Sequence, residues 1–167
     1  MNQKAVIQNV VSTASLLENN NRLDLSQLVS KIPNARYRPE RFSALTVKIK
    51  EPITATALLF ANGRIVCVGT KSVKDSETAI IYFVKLISAA STILINMRDF
   101  SIQNIVSSFT FSGALNLPGM CLRLKESRAV IILFTTGKCI ITGAKSEEEI
   151  YLTQNKIYNS ISIFLKN

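Results

Sequence analysis

The sequence predicts an α+β protein, a curved antiparallel sheet with its helices on one side, assembled from one unit written twice. Three observations carry this. The first is a repeated hairpin: Phe60, Gly63, Gly69 and Lys71 recur as Phe134, Gly137, Gly143 and Lys145, always 74 residues on and across unlike residue types. The second is a repeated strand, in which Ile7-Gln8-Asn9-Val10-Val11-Ser12 returns as Ile102-Gln103-Asn104-Ile105-Val106-Ser107 at an offset of 95. The third is that the hairpin runs are apolar on both strand faces. Leu59 points away from Leu58 and Phe60, and Leu133 away from Ile132 and Phe134, because successive side chains alternate sides. One face can pack on helices. Too few elements remain to roof the other, so that face reads as a surface built to meet a partner. The two offsets differ by 21, so the second copy has lost about that many residues between its first strand and its hairpin. The repeats divide the chain at 1–95 and 96–167.

The elements follow in order. A first strand runs from about Ala5 to Leu16, with Asn9, Val11 and Thr13 on one face, and Asn19-Asn20-Asn21 turns it. Asp24 caps a short helix from Leu25 to about Lys31, which Pro33 stops. Asn34 to Phe42 is a basic loop feeding a strand from Ser43 to Lys50, in which Leu45, Val47 and Ile49 alternate with Thr46, Lys48 and Lys50. The first hairpin turns at Asn62-Gly63. Ser72, three residues before Asp75, starts a helix to about Ala90, whose stripe is Ile80, Phe83, Val84 and Ile87. In the second copy a strand from Ser101 to Phe111 leads into Ser112 to Asn116, which replaces both the short helix and the basic loop. A strand from Met120 to Lys125 places Cys121, Arg123 and Lys125 opposite Met120, Leu122 and Leu124. The hairpin recurs around Thr136-Gly137, and Ser146-Glu147-Glu148-Glu149 caps a last helix with Ile150, Ile157, Ile161 and Phe164 as its stripe; the three acids suit the helix dipole.

Composition narrows the function. At 167 residues, 47% of them hydrophobic, the chain has enough apolar material for a good core. No apolar run reaches the roughly 18 residues of a membrane span, and MNQKAVIQNVV is no secretion signal, so a soluble intracellular protein is expected. Cys67, Cys121 and Cys139 lack CxxC spacing and lie in apolar strand patterns, which favours buried free thiols over metal ligands or disulfides. The net charge of +9 suits a polyanionic partner. There is no histidine, no Walker-type loop, no acid or Cys cluster at metal spacing and no nucleophile with an evident base. Neither catalysis nor a metal or cofactor is therefore expected.

IQNVVST, NARYRPERF, KEP and the first hairpin, with the second-copy IQNIVSS, LPG and VIILFTTGKCIITGAKSEEEI, resemble the core of the TATA-box-binding protein family over essentially the whole chain. The resemblance implies a pseudo-twofold saddle of two repeats, a concave ten-stranded sheet with helices on the convex side, seated on a widened minor groove. This family is itself the standard instance of minor-groove kinking by inserted apolar wedges. The uncovered face would carry Val11, Leu58, Phe60, Val66, Val106, Ile132, Phe134 and Ile140. Asn9 and Asn104 would donate to adenine N3 and thymine O2, an edge that reports mostly A·T against G·C. The wedge positions of the family fall on Phe42 and Phe60, and on Leu117 and Phe134. Arg41, Lys48, Arg64, Lys71, Arg123, Lys138 and Lys145 fall where relatives contact phosphates, which adds salt-dependent affinity without reading sequence. Thr142 keeps a groove-facing hydroxyl that Val68, its counterpart, lacks.

Each residue also has a plainer reading: an Asn in a strand as an edge residue, Phe60 and Phe134 as core, the cations as solvated surface. The function implied is a general transcription initiation factor that binds and bends AT-rich promoter DNA and nucleates an initiation complex. Its partners would be double-stranded DNA, a transcription factor IIB-like protein and the RNA polymerase machinery, in the nucleus if eukaryotic and in the cytoplasm of an archaeon or a viral factory. The alternative is a regulator of the same fold that kept the saddle and lost AT preference. Leu117 and Val68 point that way. The segment missing before Leu117 is where the family carries a helix and an acidic loop that help receive transcription factor IIB, and the first long helix has only Lys74 and Lys85 as cations for a convex patch, which marks a divergent member with its own partners. The apolar face also predicts self-association of the free protein.

Overall fold

The computed structural model describes residues 3–18 and 20–161. Along them run β1 (Val6–Ser15), α1 (Leu25–Lys31), β2 (Ala35–Arg38), β3 (Phe42–Ile49), β4 (Ala55–Leu59), β5 (Arg64–Thr70), α2 (Val73–Ala90), β6 (Arg98–Thr110), β7 (Met120–Arg123), β8 (Val130–Leu133), β9 (Lys138–Ala144) and α3 (Glu147–Ile161). The chain forms two compact units, one spanning Val10–Ile102 and the other combining the residues up to Asn9 with those from Gln103 onward. The repeats at 1–95 and 96–167 divide the chain by sequence order, whereas the compact units divide within β1 and within β6.

In the Val10–Ile102 unit the strand order is β2-β3-β4-β5-β1, every neighbour antiparallel. Alternation decides what each strand buries. Leu45, Val47, Ala57, Leu59, Ile65 and Cys67 are fully buried and pack with Leu25 and Leu28 of α1 and with Ala79, Ile80, Phe83 and Ile87 of α2. Both helices therefore cover the same sheet face, and truncating Leu45 or Leu59 to alanine would cost ~2–5 kcal/mol. The helix starts are where the capping residues put them: Asp24 Oδ1 accepts the backbone N–H groups of Ser26 and Gln27 at 3.1 Å, and Ser72 Oγ accepts that of Asp75 at 3.0 Å. Ser12 and Ser76 meet at 2.6 Å under α2, satisfying two hydroxyls buried between strand and helix. Of the expected α2 stripe, Val84 is half-buried rather than buried.

The second unit contains β6-β9-β8-β7 in that order, again antiparallel, under α3. Ile105, Phe109, Ile131, Leu133, Cys139 and Ile141 are buried, as are Ile150, Ile157, Tyr158 and Ile161 of α3. Phe109, Phe111 and Tyr158 form an aromatic triangle with centroids 4.6–5.4 Å apart. Buried Gln154 of α3 ties in the start of the chain, accepting from Ala5 N–H at 2.9 Å and donating to the Gln3 carbonyl at 2.6 Å. Ser146 Oγ accepts from Glu149 N–H at 3.1 Å, the cap expected for α3. Phe164 of the expected stripe lies outside the described residues, as does Asn19 of the first turn.

Several expectations need correcting. The described residues hold nine strands, not ten. Part of the basic loop is itself a strand: β2 pairs with β3, Arg36 opposite Thr46 and Arg38 opposite Phe42, because a turn at Pro39 to Arg41 folds the loop back. The segment missing from the second repeat removes the counterparts of β2 and α1 together. β7 ends at Arg123, short of Lys125. Cys121 is exposed, not buried. The β1–β5 register shifts between Val10 and Ser12 because Val68 and Gly69 of β5 together oppose Val11, so the bulge lies in β5 and β1 keeps Asn9, Val11 and Thr13 on one face. The same shift occurs between Ile105 and Ser107, where Thr142 and Gly143 of β9 together oppose Val106.

Candidate nucleic-acid interface

Residues directly opposite in antiparallel strands share a face, so the register itself draws the surface left uncovered by the helices. In the Val10–Ile102 unit one row across the sheet is Thr46, Leu58, Val66 and Thr13, and the next is Lys48, Thr56 and Val68. In the second unit the corresponding rows are Cys121, Ile132, Ile140 and Ser108, then Arg123, Val130 and Thr142. The rows match position for position under the sequence repeat. Leu58, Val66, Ile132 and Ile140 are all half-exposed, while their strand neighbours Leu59, Ile65, Ile131 and Ile141 are sealed. Val11 and Val106, also half-exposed, face the equivalent bulges of β5 and β9, which shift the register without ending the strands.

The hairpin tips are built alike. Phe60 N–H donates to the Arg64 carbonyl and Gly63 N–H to the Phe60 carbonyl, both 2.9 Å; Phe134, Lys138 and Gly137 repeat those two bonds at the same length. Gly63 and Gly137 have φ of +82° and +85°, the left-handed conformation this turn requires. The tight turn holds Phe60 and Phe134 at the strand ends. Phe134 is 41% exposed; Phe60 is half-buried because Phe42, itself 47% exposed, packs on it edge-on with centroids 6.1 Å apart. Leu117, the fourth wedge position, is half-buried and lines an open groove with Thr135 and Thr136, beside the Phe134 turn.

Polar groups are placed with equal care. Asn104 Oδ1 accepts Gly143 N–H at 2.7 Å and its Nδ2 donates to Thr142 Oγ1 at 3.3 Å, which fixes the amide plane and leaves the second Nδ2 hydrogen to be given elsewhere. The first unit has Val68 where Thr142 stands and no hydroxyl to do this. Asn9 is half-buried. Arg41, Lys48, Arg64, Lys71, Arg123, Lys138 and Lys145 are all exposed. The Lys145 main chain is anchored: Glu149 accepts its N–H at 2.9 Å and the Ser127 hydroxyl at 2.6 Å, and these bonds, with Arg128 nearby, hold the Glu149 carboxyl below its usual range. Sequence reasoning assigned Lys48 but passed over Thr46, Thr56, Arg36 and Cys121 on the same face. Alternation placed them there; what hid Cys121 was the habit of reading strand cysteines as core.

The chain matches the family described as transcription factor TFIID, or TATA-binding protein (TBP), over residues 4–90 and 99–164. The chain belongs to the TATA-box-binding protein family. That family comprises transcription factors, not enzymes. TATA-box-binding protein 1 of Triticum aestivum is 34% identical across 97% of this chain and 75% of its own length. The TATA-box-binding protein of Spodoptera frugiperda is 35% identical across 96% of this chain and 56% of its own, so the chain spans little more than half of that relative. The solved structure of Methanococcus jannaschii TBP superposes with a TM-score of 0.79 at 28% identity, covering 96% of this chain and 99% of that one, so the α+β fold is that of a TBP. Among the described residues no helix is long and apolar enough to cross a membrane.

Proposed function

We propose that the uncovered sheet face binds the minor groove of AT-rich double-stranded DNA and bends it, and that the chain serves as a general transcription initiation factor. The observation that carries this is the pair of matched rows, Leu58 and Val66 in one unit and Ile132 and Ile140 in the other, half-exposed on strands whose alternate residues are sealed. An apolar floor suits sugars and base edges, which offer few polar groups to satisfy. Phe42, Phe60, Leu117 and Phe134 are the wedges that unstack base steps, Asn9 and Asn104 the donors to adenine N3 and thymine O2, and Thr142 orients the second of these. Arg41, Lys48, Arg64, Lys71, Arg123, Lys138 and Lys145 neutralise phosphates. The names of the relatives, TATA-box-binding proteins, support the DNA class. By the same reasoning the two sequence repeats each supply one half of the DNA contact.

On this reading the chain works with the transcription machinery, including a transcription factor IIB-like partner, and in the nucleus if its source is a eukaryote. Without DNA the apolar face favours self-association, which light scattering reads as a molar mass above that of the monomer. The decisive comparison is a gel shift of an AT-rich against a GC-rich duplex across salt concentration, with preference for the AT-rich one expected. Equal binding to both would favour the second reading, a regulator acting through protein contacts; Val68 and Leu117 are the residues that support it.

A further inference from the structure

Beside the proposed groove contacts lies a cavity of about 430 Å³ lined by Asn34, Arg36, Thr46, Lys48 and Lys50. Its construction follows from the β2–β3 pairing. Arg36 sits opposite Thr46, and Lys48 and Lys50 follow Thr46 at two-residue spacing, so Arg36, Thr46, Lys48 and Lys50 share the open face. Asn34, at φ +58°, turns the chain into β2 and closes the end. Arg36, Lys48 and Lys50 are exposed, and among the described residues none of their side chains is hydrogen-bonded or ion-paired. The lining includes no carboxylate. Three like charges around one concavity repel each other unless an anion joins them; a guanidinium fork, two ammonium groups, a hydroxyl and an amide are together a donor set for a tetrahedral oxyanion. Among the described residues the second repeat has no counterpart, since its β7 has no β2-like strand to pair with, so the cavity belongs to one repeat.

We propose that this cavity clamps a DNA backbone phosphate flanking the bent site and, being present in one repeat only, biases the orientation in which a chain of two like repeats sits on its site. This rests on the DNA-binding reading above and adds Arg36, Lys50, Thr46 and Asn34 to its contacts. The test is binding of an Arg36→Gln/Lys50→Gln double variant to a duplex with long flanks and to one trimmed to the site, across salt concentration. On the long duplex the slope of log Kobs against log[salt] falls by about one, the value of one neutralised phosphate, and on the trimmed duplex it is unchanged. Hydroxyl radicals released from a tether on the protein then cut the flanks more evenly than with the parent chain. A Lys74→Gln variant, an exposed cation of α2, keeps the parent slope. If the parent chain binds AT-rich DNA but the double variant has the same slope and the same cutting asymmetry, the clamp is wrong and the groove reading survives. If the parent chain binds no DNA, the groove reading itself fails. Titration with inorganic phosphate separates the sources: saturation of the Thr46 and Arg36 amide shifts, together with an unchanged slope on DNA, would make free phosphate the occupant and overturn the proposal.

Discussion

Phe134→Ala isolates the apolar part of the proposed DNA contact. A phenylalanine buries about 150–250 Å² when fully covered, and Phe134 is 41% exposed in the free chain. Insertion between base steps would therefore remove about 80 Å² of ring from water, worth ~2 kcal/mol at ~25 cal/mol per Å², or about 30-fold in Kd. The ring contributes no charge, so the salt slope should stay as it was. The fold should lose less than the ~3–5 kcal/mol of a buried phenylalanine, because much of the ring already faces solvent and Gly137 continues to close the turn through backbone bonds alone. Fluorescence anisotropy on an AT-rich duplex at several salt concentrations gives affinity and slope. Energy transfer between dyes at the duplex ends gives the bend, which should shrink. An unchanged bend with unchanged affinity would refute the wedge; a fall in slope would show that the variant had disturbed the phosphate contacts and that area arithmetic does not describe this residue.

Lys145→Ala should weaken AT-rich and GC-rich duplexes alike and flatten the salt slope by about one unit or less, because its main chain is held by Glu149 and only the exposed side chain with its charge is removed. Asn104→Asp keeps the acceptor for Gly143 N–H and removes the Nδ2 donor, so the melting temperature should barely move while AT-rich binding falls at least ~10-fold, the equivalent of ~1.4 kcal/mol; a matching loss of stability would make Asn104 a structural residue only. The thiols should divide by burial. Cys121 is exposed and should react with an aromatic disulfide near neutral pH, more slowly once DNA covers it, whereas burial pushes Cys67 up to about 11 and Cys139 up to about 12 and keeps both inert. Those raised values also set a pH trend: the buried thiols favour the folded state below about pH 9, where the unfolded thiol is protonated too, and that advantage is lost as pH rises through the folded values near 11 and 12. Denaturant midpoints falling between pH 9 and 11, less steeply in Cys67→Ala, would bear this out; a flat profile would contradict it.

Much of the protein was legible in the chain because the signals were local. Capping residues and two-residue alternation act within a few bonds, so α1, α2 and the buried sides of β3, β4 and β5 could be placed from Asp24, Ser72 and the Leu45-Val47-Ile49 pattern alone. The repeat of Phe60-Gly63 as Phe134-Gly137 showed that two hairpins share one design, and their two-sided apolar character marked a face with nothing to cover it. Tertiary structure decided what depends on pairing between distant segments. The bulges of β5 and β9 opposite Val11 and Val106, the strand hidden in the basic loop, the exposure of Cys121, the Phe42–Phe60 edge contact and the gathering of Arg36, Lys48 and Lys50 each arise from register. Register is a long-range choice, and one residue of slip turns every side chain to the other face. Composition could therefore say that this chain carries cations and phenylalanines, but only the paired strands could say which of them stand together in water.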